Sequence, residues 1–263
     1  MLLDLRREAS AAELLIEPPP FRDDREHQIA LSTWRGRMVN EHISASVFAQ
    51  LIPQLMRAGI DAARQAEVAE MVSEELRHAR LCAAVLVGLG GEPVAPLPEI
   101  RAMPSHEGVS NKEALLRNVL SVSCLSETVA VALIDAERLE LLDVARERDE
   151  ATPKTISGVL RQILADEVRH ARFGWKLLEA DPVDSELADR LGEYLRTAFA
   201  HLERHELAHL SPMPAPSSEA EAAGVCDGSN ARVLFFETVE QVIVPRLEQH
   251  GIPARKAWER RFD

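Results

Sequence analysis

The chain has 263 residues, of which 46% are hydrophobic and 28% charged, and its formal net charge at pH 7 is −13. This length suffices for one large domain with an ample core. The acidic balance disfavours nucleic acid and anionic membrane surfaces as partners, because phosphate groups are bound by clustered Lys and Arg. Helix-forming Ala, Leu, Glu and Arg dominate and alternating β-branched runs are missing, so the sequence predicts an all-α fold without a sheet.

Cysteine usage and hydropathy address the cellular compartment. Cys82, Cys124 and Cys226 are scattered without CxxC spacing, which is typical of reduced thiols in a cytoplasmic protein. The N-terminal sequence carries charges where a signal peptide needs an apolar core. The longest apolar run, from Leu81 to Gly91, is too short to span a bilayer. We therefore expect a cytoplasmic protein without a membrane segment.

Apolar periodicity and helix-breaking residues divide the chain into successive elements. Residues 1–24 end in three prolines and are predicted to form an N-terminal arm, because proline interrupts helices. Six helices are predicted, at about 25–58, 61–89, 110–150, 152–179, 184–209 and 231–250. A long crossover, 92–109, separates the second helix from the third. This connectivity predicts a four-helix bundle over 25–180, with the two additional helices of 181–263 packed around it in a single domain.

Several residues predict how individual helices begin and bend. Ser110 and Glu113 have the spacing of a capping box at the start of the third helix. Thr152 followed by Pro153 is typical of an N-cap and a first helical position, here for the fourth helix. The last helix is expected to be interrupted or bent at Pro245.

One segment of the sequence is repeated: EELRHAR at 74–80 returns as DEVRHAR at 166–172. Each copy contains an ExxH motif, and residues three apart on a helix share a face, so the Glu and His of each copy can bind one side of a metal site. Two such helices, with one inward-facing Glu from each remaining helix, supply four carboxylates and two imidazoles. That is the ligand set of carboxylate di-metal bundles.

Helix lengths select the two remaining carboxylates. Glu75 lies about 24 Å beyond the turn near Gly59, and Glu41 lies a similar distance before that turn. Glu127 is the one carboxylate in an apolar stretch of the third helix, where an unpartnered charge would be costly. For Glu127 to lie level with Glu167, the third helix should end early, so an irregularity is expected over 145–151. The predicted metal-binding and catalytic residues are Glu41, Glu75, His78, Glu127, Glu167 and His170.

The residues that precede the two ligand glutamates in the repeat can support the histidines. Glu74 and Asp166 are predicted to accept the free ring N–H of the histidine on the opposite helix, which would fix the tautomer of that ring. The alternative is that both are solvated charges. The small residues Ala45, Ser123 and Gly174 are predicted to leave room for a substrate beside the metals, which favours a small apolar or aromatic molecule.

This arrangement of ligands resembles the ferritin-like di-iron family, which includes oxygenases, ribonucleotide reductase small subunits, rubrerythrins and bacterioferritins. The resemblance covers roughly 25–180 and implies two iron ions at the six positions, with manganese or a mixed manganese/iron pair left open. The chain lacks the CxxC pair of rubrerythrins, and its one tyrosine, Tyr194, lies outside the bundle. Ile163 occupies the position where related arylamine N-oxygenases carry an additional histidine.

The resemblance therefore implies a di-iron oxygenase or oxidase that uses dioxygen to oxidise a small molecule. Because no nucleotide or flavin motif is present, electrons are expected from an external donor, a reductase or a ferredoxin. A helix-mediated homodimer is left open by the sequence. An iron-handling ferroxidase without an organic substrate would use the same six ligands and is an alternative.

A second alternative lies in the fifth predicted helix. Histidines recur there at four-residue spacing, at His201, His205 and His209. The segment from His205 to His209 matches HExxH, the pattern of zinc metallopeptidases, in which Glu206 would act as the base. Glu237 or Glu240 would have to supply a third ligand. An exposed polar helix face is the simpler interpretation.

Overall fold

The computed structural model describes residues 1–10, 14–148, 150–210 and 215–263. Of these described residues, 75% lie in helices and 2% in strands, so the fold is all-helical in class. The helices are α1 Arg6–Ser10, α2 Asp24–Arg57, α3 Ala62–Gly88, α4 Asn111–Arg148, α5 Ala151–Ala180, α6 Ser185–His209, α7 Ser218–Ala222, α8 228–249 and α9 Ala254–Glu259.

The prediction that the chain lacks a sheet is wrong. Two short strands, β1 Leu2–Asp4 and β2 Val94–Pro96, pair in antiparallel register with Leu3 opposite Ala95. Both of these central residues are buried. Strands of three residues are too short to produce an alternating pattern that can be recognised in a sequence. This pairing fixes the N-terminal arm against the crossover between α3 and α4.

Helices α2 and α3 form a hairpin and pack along each other. Their bounds agree with the prediction to within one residue at each end. Gly59, with φ +74°, supplies the left-handed turn between them, a conformation that glycine adopts without strain. Asp61 caps α3, because its side chain accepts a hydrogen bond from the Arg64 N–H.

Helix α4 is continuous but not regular. Ser110 caps it as predicted, accepting from the Glu113 N–H at 3.2 Å, but the Glu113 carboxylate binds Arg117 and Arg190 instead of completing a capping box. The irregularity expected over 145–151 is misplaced, since the helix continues to Arg148. The irregularity that α4 does contain is a π-helical segment, Leu120–Ser126, directly before Glu127.

Helix α5 begins at Ala151 with Glu150 as its N-cap, so the assignment of Thr152 as the N-cap is wrong. The Thr152 hydroxyl instead donates to the carbonyl of Glu17 at 2.8 Å and accepts from its N–H at 3.0 Å. These two hydrogen bonds tie the N-terminal arm to the start of α5. A threonine side chain can form hydrogen bonds either with the start of its own helix or with backbone that is distant in the sequence. Sequence spacing therefore could not show which of these partners Thr152 has.

The C-terminal region contains more helices than predicted. Helix α7 lies in the expected loop, and α9 follows α8. Asp227 caps α8, which contains a second π-helical segment, Val239–Ile243, immediately before the predicted bend at Pro245. The deviation therefore lies just N-terminal to the proline.

The apolar core consists of two clusters. One contains Met38, Cys82 and Ile163, and the other contains Phe48 and Phe173 and extends to α6, α8 and α9. The stretch between Met38 and Phe48 on α2, and that between Ile163 and Phe173 on α5, carry predicted metal ligands. A polar centre therefore lies between the two apolar clusters.

Helix α4 is also long and apolar enough to cross a membrane when only length and composition are considered. Buried core helices have the same length and composition.

Candidate metal centre

The structure brings all six predicted ligands together from four helices. Helix α2 contributes one carboxylate, α4 another, and α3 and α5 contribute one ExxH pair each. Their ligand atoms form two groups in which all atoms lie within 4.8 Å of one another; the first group is Glu41, Glu75, His78 and Glu167, and the second is Glu75, Glu127, Glu167 and His170. Glu75 and Glu167 belong to both groups and therefore lie between two potential metal positions.

The two histidine rings face the carboxylates through the same ring nitrogen. The Nδ1 atom of His78 lies 3.2 Å from Glu167 Oε1 and 3.4 Å from Glu41 Oε2. The Nδ1 atom of His170 lies 3.1 Å from Glu75 Oε1 and 3.2 Å from Glu167 Oε2. Both imidazole side chains are fully buried. The centre therefore has an approximate internal symmetry that follows the sequence repeat.

The other nitrogen of each ring contacts a carboxylate on the opposite helix. Asp166 Oδ2 lies 2.9 Å from His78 Nε2, and Glu74 Oε2 lies 2.9 Å from His170 Nε2. These are the contacts that the sequence interpretation expects. A neutral ring that donates its proton through Nε2 presents the lone pair of Nδ1 to the centre, which is the state that a metal ligand requires.

Two arginines that the sequence interpretation left without a role complete this network. Arg169 donates to Glu74 at 2.6 Å and also to Asp166, while Arg77 donates to Asp166. The sequence does contain a signal for these arginines: both copies of the repeat carry an arginine immediately before the histidine. An arginine at that position points away from the centre, so its partner on the neighbouring helix became apparent only with the packing of α3 against α5.

Burial and the close approach of four carboxylates to two histidines determine the pKa values in the centre. Burial raises the pKa of Glu75 and Glu127, and the nearby Glu167 carboxylate raises it further. Burial alone would lower the pKa of the histidines, but the surrounding carboxylates, Glu167 foremost, outweigh it and raise the pKa to about 10 for His78 and about 9 for His170. Burial also opposes ionisation of Glu167, yet the two histidines lower its pKa. The centre therefore favours the uptake of positive charge, as protons or as metal ions.

Unsatisfied polar atoms indicate which kind of positive charge fits. His78 Nδ1 and Glu75 Oε2 are buried, and among the described residues neither makes a hydrogen bond of normal geometry, although Glu167 Oε1 lies 3.2 Å from His78 Nδ1. Buried polar atoms without partners are rare in folded proteins and call for an explanation such as a bound ion. Both atoms face the point where the carboxylates converge, so one metal ion would satisfy them together. The donor set of oxygens and imidazole nitrogens suits iron or manganese.

The π-helical segment of α4 positions Glu127. Gly174 of α5 lies against it so closely that an added Cβ would be 2.7 Å from Cys124 Sγ and 2.8 Å from Ser123 Cβ. The space at Gly174 is therefore filled by α4, and the prediction that Ser123 and Gly174 leave room for a substrate is wrong. A π-helical turn inserts one extra residue and rotates the following side chains, which here brings Glu127 to Glu167.

The HExxH segment of α6 does not assemble a comparable site. The rings of His205 and His209 contact each other, with centroids 4.7 Å apart, on an exposed helix face. Within the described part of the chain, the only compact groups of three or more ligand side chains are the two in the bundle. Glu240 accepts a hydrogen bond from Trp258 Nε1 at 3.2 Å, and neither it nor Glu237 joins the histidines.

Comparison with known proteins does not place the chain in a family. A scan against protein-family models gives no match, and searches of curated proteins and of solved structures give none either. The geometry of the centre is therefore the basis for a functional proposal.

Proposed function

We propose that this protein is a ferritin-like di-iron oxygenase or oxidase that uses dioxygen to oxidise a small molecule. The observation that supports this proposal is the convergence of four carboxylates and two imidazoles, from four helices, around two buried unpartnered atoms. The order of ligands along the chain and their ExxH spacing are those of the ferritin-like bundles.

Charge balance supports a pair of divalent ions rather than one. Four carboxylates with two neutral imidazoles carry about −4 charges, which two divalent ions neutralise. In this assignment His78 and Glu41 would hold one iron, His170 and Glu127 would hold the other, and Glu75 and Glu167, which belong to both groups, would serve both. A manganese or mixed manganese/iron pair would be held by the same donors.

The chain's own residues prepare the centre for this chemistry. Asp166 and Glu74 contact the Nε2 atoms and so orient the histidine rings with Nδ1 toward the centre, and the apolar clusters on both sides exclude water. The bound pair of irons would supply electrons for the reduction of dioxygen. The Phe48 ring, whose centroid is 5.1 Å from that of His170, shields one side of the centre.

Access to the centre is uneven. Glu41 on α2 is 14% exposed at its side chain, and Glu127 on α4 is 8% exposed as a residue, whereas both histidines are fully buried. The residues of α4 that follow Glu127, Ala130 and Val131, are only half-buried. We therefore place the approach of dioxygen and substrate on the side of α2 and α4.

The test is an anaerobic titration of metal-free protein with ferrous iron, followed by exposure to oxygen with optical monitoring. We expect saturation near two irons per chain and a change in absorption after oxygen is added. Glu127→Gln should reduce the stoichiometry toward one, whereas His205→Gln/His209→Gln should leave it at two. The proposal would be refuted if the unmodified chain binds less than one iron. It would also be refuted if the unmodified chain prefers zinc and the α6 variant, His205→Gln/His209→Gln, loses that preference.

A second measurement separates the oxygenase from a ferroxidase. Reductant and oxygen are supplied in repeated cycles, and iron release is followed with a chelator. An oxygenase keeps its two irons through the cycles, while a ferroxidase passes oxidised iron on to the solution.

A further inference from the structure

A group of four arginines on the outer face of α3 and α5 lies directly outside the histidine side of the centre. We call this group, Arg77, Arg80, Arg169 and Arg172, the basic face. Each pair is three residues apart on its helix and therefore on one side of it, and all four residues are exposed. Ion pairs from Arg77 to Asp166 and from Arg169 to Glu74 join the two helices, so the four arginines form one surface.

The four arginines of the basic face differ in their contacts. Arg77 and Arg169 bind the carboxylates that support the histidines. Arg80 and Arg172 have no ion-pair partner among the described residues, although they occupy equivalent positions in the two copies of the repeat. Four arginines against the two carboxylates of Asp166 and Glu74 leave this surface with an excess of two positive charges, in a chain whose net charge is −13. This excess therefore favours contact with something negatively charged.

The basic face is also connected to the centre by short polar steps. From Arg77 the path runs through Asp166 to His78, with the last contact at 2.9 Å. From Arg169 it runs through Glu74 to His170, with contacts of 2.6 Å and 2.9 Å. A redox group docked on this surface would be separated from the metal ligands by one layer of side chains. The accessible side on α2 and α4 would stay free for substrate.

We propose that the basic face is the docking surface for an acidic one-electron carrier protein, the donor that the proposed function requires. Each docked carrier would give up one electron, and two carriers in succession would supply the two electrons needed to return an oxidised metal pair, held by the six residues of the proposed function, to the divalent state. The overall negative charge of the chain repels an acidic partner elsewhere, and the basic face provides the attraction that orients it.

The experiment uses the full chain, with and without iron, and a [2Fe–2S] ferredoxin of net negative charge as the probe. Binding is measured by calorimetry at low and at physiological ionic strength, and reduction of the iron-loaded protein by stopped-flow absorption. The variant is Arg80→Glu/Arg172→Glu, which changes neither a ligand nor its supporting carboxylate. The matched control, Arg25→Glu/Lys256→Glu, makes the same change in net charge at two exposed positions on other helices.

We expect the variant to weaken ferredoxin binding at least tenfold, and to slow reduction by ferredoxin while leaving reduction by dithionite complete. The control should stay within twofold of the unmodified chain. Equal losses in both variants would show that only net charge matters, and absence of binding to the unmodified chain at low ionic strength would exclude an acidic partner; either overturns the proposal. Failure to bind two irons would refute the proposed function separately, because ferredoxin binding is also measured on the metal-free chain.

Discussion

Replacement of Gly174 by alanine tests how the π-helical segment positions the centre. An alanine Cβ would stand 2.7 Å from Cys124 Sγ and 2.8 Å from Ser123 Cβ. Non-bonded carbon atoms need roughly 3.5–4.0 Å, so α4 and α5 would have to separate by about 1 Å. Overpacking of this kind costs about 1–3 kcal/mol, against which alanine gains about 1 kcal/mol of helix propensity over glycine. We expect a net loss of about 0–2 kcal/mol in the free energy of unfolding.

The effect on metal binding should be larger than the effect on stability. Glu127 follows the π-helical segment directly, so movement of that segment displaces one ligand by a distance that metal sites tolerate poorly. We expect the affinity for the second ferrous ion to fall about tenfold or more, while the first ion binds nearly normally. Urea unfolding of the metal-free protein and the anaerobic iron titration measure the two quantities.

Gly158 on the same helix provides the control. An added Cβ there meets no atom within 4 Å, so Gly158→Ala should raise stability by up to about 1 kcal/mol and leave both irons bound. If Gly174→Ala matches Gly158→Ala in both unfolding free energy and iron affinity, the close approach of α5 to α4 does not position Glu127.

Three further substitutions have distinct expected outcomes. Asp166→Asn should lower iron affinity about 10- to 100-fold by weakening its contact with His78, as a titration checks; unchanged affinity would contradict the supporting role. Glu206→Gln should leave iron binding and oxidation unchanged. Burial raises the pKa of Glu206 to about 7, so the wild type should lose stability as pH rises from about 4.5 to 7, and thermal melts of the variant should lack this loss. Arg37→Ala should destabilise the protein by about 3–5 kcal/mol in urea, because Glu137 is left charged and buried; a loss below 1 kcal/mol would contradict this.

The long helices and the convergence of the ligands could be predicted because they depend on local spacing. Helical periodicity gave the bounds of α2 and α3, and the ExxH repeat placed Glu75 with His78 on one face. The π-helical segment could not be predicted, since it leaves no periodic signal and the residue packed against it, Gly174, is distant in the sequence. The roles of Arg77 and Arg169 likewise depend on carboxylates of a neighbouring helix.

Short elements were missed for a different reason. The strands β1 and β2 contain three residues each, and α7 only five, so they contribute almost no periodic signal. Thr152 has the properties of an N-cap, but the Glu17 backbone competes for its hydroxyl in the folded chain. Such competition between a local and a distant partner is decided by tertiary packing.

The position of the polar centre between two apolar clusters has a consequence for how readily the protein is degraded in the cell. Without metal ions, a layer of buried polar side chains separates the clusters and interrupts their apolar packing, so the four helices are held together least well at their middle. If two metal ions bind only the folded chain, as proposed, they would act as a cross-link at this point, and would stabilise it by about 4 kcal/mol when free metal exceeds the dissociation constant a thousandfold. Proteolysis acts on transiently opened chains, so we expect the protein to accumulate when iron is plentiful and to be degraded when iron is scarce.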